Sequence, residues 1–302
     1  PDLTVGADVT IECDEEIPAE EFTVSDLNEV DVDVTEEITA GDCPQAMTIE
    51  RTYTATDACG NSSQFVQIIN LTDEEAPTFT IACPADVTLS ADEDCNADTS
   101  VETNGTATFD DVADNCDADV EMTVTHEDAT SSPCEGSTVI TRTFTITGED
   151  NCGNITTLTC DQTITVNDDT APSITAPANA TVECDGMGNE ADLAAFLSGA
   201  TATDNCSDVT IEHDFTALSD DCGATGSATG TFTATDACGN SSTAVQTITQ
   251  QDTTAPTLNV AADVTIECDD EIPAPEYTSD DACGAVTVEV EESIIPGDCP
   301  QE

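Results

Sequence analysis

The chain has 302 residues, of which 65 are Asp or Glu and 2 are Arg, for a formal charge of -63. A surface this negative repels nucleic acid and anionic membranes, which excludes both as partners. High net charge with 3% aromatic residues can signal disorder, but 16 cysteines and regular strand patterns argue for a folded chain.

The cysteines contain no CxxC pairs, and only His126 and His213 are available beside them. That composition reads as disulfides rather than zinc, and disulfides place the chain outside the cytosol. No signal peptide is visible, and no apolar run is long enough to span a bilayer. The expectation is a processed chain, or a piece of something longer, without direct membrane insertion.

Taken in order, the chain opens on Pro1-Asp-Leu-Thr-Val, which matches the passage after Pro256 and reads as a repeat boundary. An edge strand, Val9-Thr-Ile-Glu-Cys13, follows, then a Pro/Asp-rich passage and the loop Gly41-Asp-Cys43-Pro44. Next comes an alternating run from Tyr53 into Asp57-Ala-Cys59-Gly60-Asn61, and a second alternating run after it. This predicts a β-hairpin with a tight Gly/Asn turn and a cysteine at its tip. The hairpin returns at Asp150-Asn-Cys152-Gly-Asn154 and at Asp236-Ala-Cys238-Gly-Asn240.

Each hairpin leads into an acidic linker ending in Ala-Pro, at Asp73-Glu74-Glu75-Ala-Pro77, Asp168-Asp169-Thr-Ala-Pro172 and Asp252-Thr-Thr-Ala-Pro256. The expected units are 1–76, 77–171, 172–255 and an incomplete 256–302, a size that suits small β-sandwiches. The fourth is expected to be completed by further sequence or by a neighbouring subunit. The first and fourth are close copies, and Cys13 and Cys268 are 255 residues apart, which suggests a higher-order period. Strands such as Val209-Thr-Ile-Glu212 and Val286-Thr-Val-Glu-Val290 alternate with period two, the half-buried antiparallel pattern. The only helical candidate is Glu190–Leu197.

The turns Asp114-Asn-Cys116 and Asp204-Asn-Cys206, the three hairpins and the Asp-Thr-Ala-Pro and Asp-Thr-Thr-Ala-Pro linkers carry a resemblance. The chain resembles hyalin-type immunoglobulin-like repeats, as found in giant secreted surface proteins of marine and gliding Bacteroidota. The resemblance implies an all-β fold of tandem immunoglobulin-like sandwiches forming an extended rod. It also implies adhesin stalks and surface filaments, including grappling-hook-like filaments, exported by the type IX route. Asp169-Thr-Ala and Asp252-Thr-Thr resemble bacterial O-glycosylation sites of that group.

In such a sandwich the Asp-Asn-Cys turn and the hairpin tip share one end, and the Glu-Cys strand end and Gly-Asp-Cys loop share the other. A bridge needs Cα atoms about 4.4–6.8 Å apart. The topology then predicts Cys206–Cys238 and Cys184–Cys222 in the third unit, and Cys116–Cys152 and Cys95–Cys134 in the second. Cys83–Cys160 joins first strand to last, and the outer units keep Cys13–Cys43 and Cys268–Cys299. Cys59 and Cys283 are left over, as a buried thiol or an intermolecular bridge. An alternative pairs sequence neighbours, Cys184–Cys206 and Cys222–Cys238, with a full strand between partners.

The acidic clusters are mostly a solvated surface. At the junctions, however, Asp73, Glu75, Asp168, Asp169 and Asp252 of the linkers approach end loops carrying Asp114, Asp204, Asp280 and Asp281. The hairpin tips add Asp150, Asn154, Asp236 and Asn240. Oxygen ligands from several segments suit Ca²⁺, which takes about 6–8 of them. The spacing is not that of an EF-hand. Arg51 and Arg142 fall two residues before Tyr53 and Phe144, and each is expected over that aromatic or opposite a cross-strand carboxylate. Asn61, Asn154 and Asn240 match the N-glycosylation pattern, yet Gly-Asn at a tip needs no sugar to explain it.

His126 and His213 stand at unmatched places, and no nucleophile has a base nearby, so no enzyme is expected. The functional expectation is a structural segment of an extracellular stalk or filament. Its partners are further copies of itself in a lateral bundle and a target cell or surface. The competing reading is that the units themselves bind a glycan or mineral, which zero Trp and two Tyr weaken for glycans.

Overall fold

The computed structural model describes residues 1–219, 225–267 and 270–295. The chain is all-β, built as tandem β-sandwiches, and it divides into two compact units. Residues 1–89, 97–133 and 138–166 form the first, and residues 90–96, 134–137 and 167–302 the second.

In the first unit, β1 (Asp2–Val5) pairs antiparallel with β3 (Phe22–Ser25). A second sheet contains β2 (Val9–Glu12), β4 (Val30–Ala40), β5 (Met47–Asp57) and β6 (Ser62–Thr72), in the order β2-β6-β5-β4. The long hairpin β5–β6 supplies the core because its inward positions are apolar while its Thr residues stay wetter. Tyr53 and Ala55 pack with Leu3, and Ile49 with Ile69 and Leu71.

In this sheet one pairing departs from the antiparallel pattern. β2 runs parallel to β6, with Val9 opposite Ile69 and Glu12 opposite Thr72. β1 and β2 are one extended stretch that changes sheets at residues 6–8 without turning back, so its direction carries over. Gln67, 4% exposed, holds that crossing through an Nε2–H bond to the Ala7 carbonyl at 2.9 Å. Asp8 Oδ1 accepts the Ile68 N–H at 2.8 Å.

The next set repeats the plan with β7 (Thr78–Ala82), β8 (Val87–Ser90), a one-turn α1 (Val101–Asn104) and β9 (Thr108–Ala113). β10 (Glu121–Ser131), β11 (Thr138–Glu149) and β12 (Ile155–Asn167) complete it, in the sheet order β10-β11-β12-β8. The crossing is again clasped, by Gln162 on the Ala85 and Asn104 carbonyls at 2.9 and 2.8 Å and by Asp86 on the Thr163 N–H at 2.7 Å. Sequence reading did not anticipate α1 or the buried glutamines.

Arg51 and Arg142 each face a cross-strand carboxylate rather than an aromatic ring. Glu36 lies opposite Arg51 and accepts from its Nε at 2.7 Å. Asp128 lies opposite Arg142 and takes Nε and Nη2 at 2.8 and 2.7 Å, a two-pronged pair. The Arg142 guanidinium holds the Asp128 carboxyl below its usual range. The two histidines stand in matching places, correcting the sequence reading. His126 lies directly across from Phe144, and His213 across from Phe232, with ring centroids 5.9 and 6.1 Å apart.

The second unit holds β13 (Ser173–Thr175), β14 (Ala180–Glu183), α2 (Glu190–Leu197) and β15 (Thr201–Thr203). β16 (Thr210–His213), β17 (Gly226–Thr235) and β18 (Ser241–Gln251) follow, with sheet order β14-β18-β17-β16. α2 occupies the span read from sequence, and it packs Phe196 edge-on against Phe232 at 5.9 Å. Its entry is set by Asn189, left-handed at φ 52 and 1% exposed, which takes Gln250 Nε2–H at 2.8 Å. β19 (Thr257–Val260) and β20 (Tyr277–Asp280) pair as β1 and β3 do. With no hairpin beneath them among the described residues, Leu258, Val260 and Tyr277 are exposed.

Candidate functional site: acidic junctions braced by disulfides

The three hairpin tips have one geometry. Asp57, Asp150 and Asp236 each turn Oδ1 onto two backbone N–H groups, those of the tip Cys and of the Asn two residues beyond it, at 2.8–2.9 Å. That Asn closes the tip by donating Nδ2–H to the same carboxylate at 2.8 Å. The Asp-Asn-Cys turns use the same device, with Asp114 Oδ1 on the Cys116 N–H at 2.9 Å and Asp204 Oδ2 on the Cys206 N–H at 2.8 Å. Asp281 holds the Cys283 N–H at 2.7 Å.

Apart from Cys59, the cysteines at these tips and turns bond across the junction to the preceding sandwich, not within their own. Cys13 pairs with Cys116 and Cys43 with Cys152, with Cα atoms 5.8 and 5.0 Å apart. In the second unit Cys95 pairs with Cys206 and Cys134 with Cys238, at 5.3 Å each, and Cys184 with Cys283 at 5.8 Å. The structure therefore replaces the expected Cys13–Cys43, Cys95–Cys134, Cys116–Cys152, Cys206–Cys238 and Cys184–Cys222, and also the alternative Cys184–Cys206. Cys83–Cys160 is present as expected, with Cα atoms 6.0 Å apart.

The physical reason for the correction lies in the short linkers. The sequence reading grouped cysteines by the end of the sandwich they occupy, but the bridges at the junctions join one end to the end opposed to it. Cys283, expected to be left over, is bonded, whereas Cys59 is free and exposed rather than buried. Cys222, Cys268 and Cys299 lie outside the described residues, and Cys222–Cys238 and Cys268–Cys299 with them; Cys238 is bonded to Cys134.

The loops come very close at these contacts. Gly136 sits at φ +91, and a Cβ there would meet the Cys206 Cβ at 2.6 Å. Gly186 sits at φ +72, where a Cβ would meet the Ala282 carbonyl oxygen at 2.7 Å. Only glycine satisfies both the left-handed backbone and the space.

Between the paired cysteines lies a cluster of carboxylates. The Asp73 carboxylate is within 4.8 Å of those of Glu12 and Asp150. Asn154 ties the linker in by donating Nδ2–H to the Asp73 carbonyl at 3.0 Å, and Asn240 does the same to the Asp168 carbonyl at 2.9 Å. These amides are thus engaged in structure rather than offered as glycan acceptors. Asp168 lies within 4.8 Å of Asp204, and Asp252 within 4.8 Å of Asp281. The cysteine sulfurs in these clusters are disulfide sulfurs and supply no thiolate.

Four carboxylate oxygens here are buried without a hydrogen-bond donor: Asp73 Oδ2 and Asp114 Oδ2 at one junction, Asp168 Oδ2 and Asp204 Oδ1 at another. A buried charge without a partner is costly, and like charges beside it add to the cost. Burial first, and then Asp114, Asp150 and Glu12, push the Asp73 carboxyl up to about 6. Asp168 is raised for the same reasons, burial and then the charges of Asp204 and Asp236. Asp26 is the counterpart of Asp114, accepting the Asn28 N–H at 3.0 Å.

The structure thus gathers Asp73, Asp114, Asp150 and Asn154 at one junction, and Asp168, Asp204, Asp236 and Asn240 at the next. Asp252 and Asp281 meet at a more exposed third. Glu75 and Asp280 are exposed and outside the clusters, and Asp169 is exposed and accepts the Ser90 hydroxyl at 2.6 Å. Glu12 was missed by sequence reading. Its signal is the Glu that precedes the strand-end cysteine in the Glu-Cys pairs of Cys13 and Cys184. Glu183 shows what that residue does, accepting the linker N–H groups of Thr253 and Thr254 at 2.6 and 3.0 Å.

No family model matches the chain. No curated protein matches it either. Among solved structures it is similar to protocadherin gamma B7 domains EC3-6, described as a cis-dimer, with 13% identity, 85% of this chain and 75% of that chain covered, and a TM-score of 0.30. It is similar in the same degree to protocadherin gamma B2 extracellular cadherin domains 3-6, with 13% identity, 86% and 76% coverage and a TM-score of 0.31. Drosophila N-cadherin EC1-4 gives 13% identity, 82% and 73% coverage and a TM-score of 0.28.

Proposed function

We propose that the chain is a non-enzymatic structural segment of an extracellular adhesin stalk or cell-surface filament, made of units 1–76, 77–171, 172–255 and 256–302. Calcium at the acidic junctions stiffens it. The observation that carries the reading is the set of orphaned, buried carboxylate oxygens enclosed by disulfides at successive junctions.

Asp73 and Asp114, with Glu12 and Asp150 beside them, would hold one ion. Asp168 and Asp204, with Asp236, would hold another, and Asp252 with Asp281 a weaker third. A hard divalent cation prefers such oxygen donors and would remove the repulsion among them. Disulfides support an oxidising, extracellular location, with export by the type IX route on the resemblance drawn from sequence. A stalk of this kind works with further copies in a lateral bundle and presents a tip to a target cell or surface.

Calorimetric titration of the chelator-treated chain with Ca²⁺ tests the reading. Saturable binding and a melting temperature that rises with calcium are expected, by about 2.7 kcal/mol of stabilisation at a free concentration a hundredfold above Kd. No binding heat together with an unchanged melting curve would overturn the calcium part.

A further inference from the structure

We propose, resting on the calcium reading above, that the junction disulfides set the calcium affinity of the carboxylates beside them. A junction then locks only where an oxidant and Ca²⁺ are both present, and each protects the other. Bridged sulfurs lie inside the acidic clusters. That of Cys116 is within 4.8 Å of the Glu12 and Asp73 carboxylates, and that of Cys152 within 4.8 Å of those of Asp73 and Asp150. Cys206 stands in the same relation to Asp168 and Asp204.

At these places one carboxylate serves both the bridge and the cluster. Asp114 accepts the Cys116 N–H with Oδ1 at 2.9 Å, and its Oδ2 is buried without a donor. Asp204 accepts the Cys206 N–H with Oδ2 at 2.8 Å, and its Oδ1 is orphaned in the same way. The linker carboxylates beside them, Asp73 and Asp168, are only 8% and 5% exposed, and each keeps an orphaned Oδ2. A cation placed among these oxygens therefore meets groups that bridged cysteines hold by the backbone.

The donors come from separate segments whose charges repel. Cys13–Cys116 ties the strand end of Glu12 to the turn of Asp114, and Cys43–Cys152 fixes the tip that carries Asp150. Closed bridges present the cation with assembled oxygens, whereas open ones leave it to order the segments against their repulsion. Reduction gives each bridge two electrons and two protons, forming two thiols, while a dithiol reductant closes to its cyclic disulfide. Linkage makes the effect reciprocal, so the factor by which reduction weakens calcium binding is the factor by which bound calcium disfavours reduction. Cys83–Cys160 belongs to none of the carboxylate clusters among the described residues, and it stands outside this coupling.

The test equilibrates the full chain in mixtures of reduced and oxidised dithiothreitol, with Ca²⁺ or with chelator, and reads each bridge by alkylation and peptide mass mapping. Equilibrium is the right readout, because bare carboxylates also slow an attacking thiolate. Cys13–Cys116, Cys43–Cys152 and Cys95–Cys206 are expected to need a reduced-to-oxidised ratio about tenfold higher in Ca²⁺, a shift of about 30 mV. Cys83–Cys160 should move by less than about twofold. By calorimetry, Cys43→Ser with Cys152→Ser should weaken calcium at that junction by about tenfold, and Cys83→Ser with Cys160→Ser should not. If the first pair does not fold, the titration of the unsubstituted chain decides. Junction bridges that titrate alike with and without Ca²⁺, in a chain that binds it, would overturn the coupling and leave the calcium reading standing. An equal shift of Cys83–Cys160 would overturn it too, since calcium would then act through overall stability. An oxidised chain that binds no calcium would remove both.

Discussion

Cys43 is bonded to Cys152, 109 residues further along and at the tip of the following hairpin, with Cα atoms 5.0 Å apart. Together with Cys13–Cys116 it makes the linker of residues 73–76 redundant as a covalent tether. On the chain-entropy model a loop of about 100 residues contributes up to about 4.7 kcal/mol when closed. That stabilisation acts on the relation of one sandwich to the next, as well as on each fold.

Cutting the linker therefore has a specific outcome. A glutamyl endopeptidase that cleaves after Glu74 or Glu75, both exposed, is expected to leave the protein at full mass on a non-reducing gel. The fragments separate only after reductant is added. Release of the first sandwich without reductant would show that its cysteines pair internally, and the junction bridges would be wrong.

How far this was legible depends on the kind of interaction. The hairpins, α2 and the core positions of Tyr53, Phe144 and Phe232 follow from local alternation and turn residues, which sequence displays directly. The disulfides involve partners 99–111 residues apart at the junctions, and local pattern fixes only which end each cysteine occupies. One trace was readable nonetheless. Pairing inside each unit leaves both Cys59 and Cys283 without partners, whereas pairing across junctions absorbs Cys283. The carboxylate clusters were legible by segment, but Glu12 entered only once β2 was seen to run parallel to β6 and end beside Asp73. The glutamine clasps left no pattern, because one polar residue in an alternating strand resembles any other outward position.

Stability should depend on pH in a window set by Asp73. Its folded value of about 6 lies above the ordinary 3.8, so the folded chain binds that proton more tightly than the unfolded chain does. The contribution is fully present below about pH 4 and is lost as pH rises through about 6. Asp168 is displaced in the same direction and adds to the effect. Calorimetric melting in chelator is therefore expected to fall between pH 4 and 7, and calcium should remove much of that fall by taking the proton's place. Superimposable profiles with and without calcium would sink the account.

Asp168→Asn separates charge repulsion from ion binding. The amide removes a buried charge beside Asp204 and Asp236, so in chelator the variant should melt higher than the parent chain. In calcium the order should reverse, with affinity at that junction weakened by about tenfold or more through loss of a charged oxygen. Asp169→Asn is the control, because that side chain is exposed and accepts a hydroxyl from Ser90. An Asp168→Asn chain that melts lower than its parent in both media would show that the carboxylate has a purely structural partner.

Arg142→Ala examines the polar clasp inside the second sandwich. The guanidinium is 3% exposed, meets Asp128 with two prongs and donates Nη2–H to the Thr99 carbonyl at 2.9 Å. Removing it strands Asp128 and an unpaired carbonyl. Breaking a buried pair costs about 3–5 kcal/mol, and partial exposure of Asp128 places this one at the lower end, about 3 kcal/mol. For a sandwich of this size that corresponds to a melting temperature lower by roughly 12–24 °C. Arg142→Lys keeps the charge but loses the planar fork, and it should recover only part of the difference. Arg51→Ala, which leaves the more exposed Glu36 and the Pro18 carbonyl without the guanidinium, should cost less. A shift under about 1 °C for both alanine variants would mean that water replaces the guanidinium without penalty, and that the hairpins are held by their apolar faces alone.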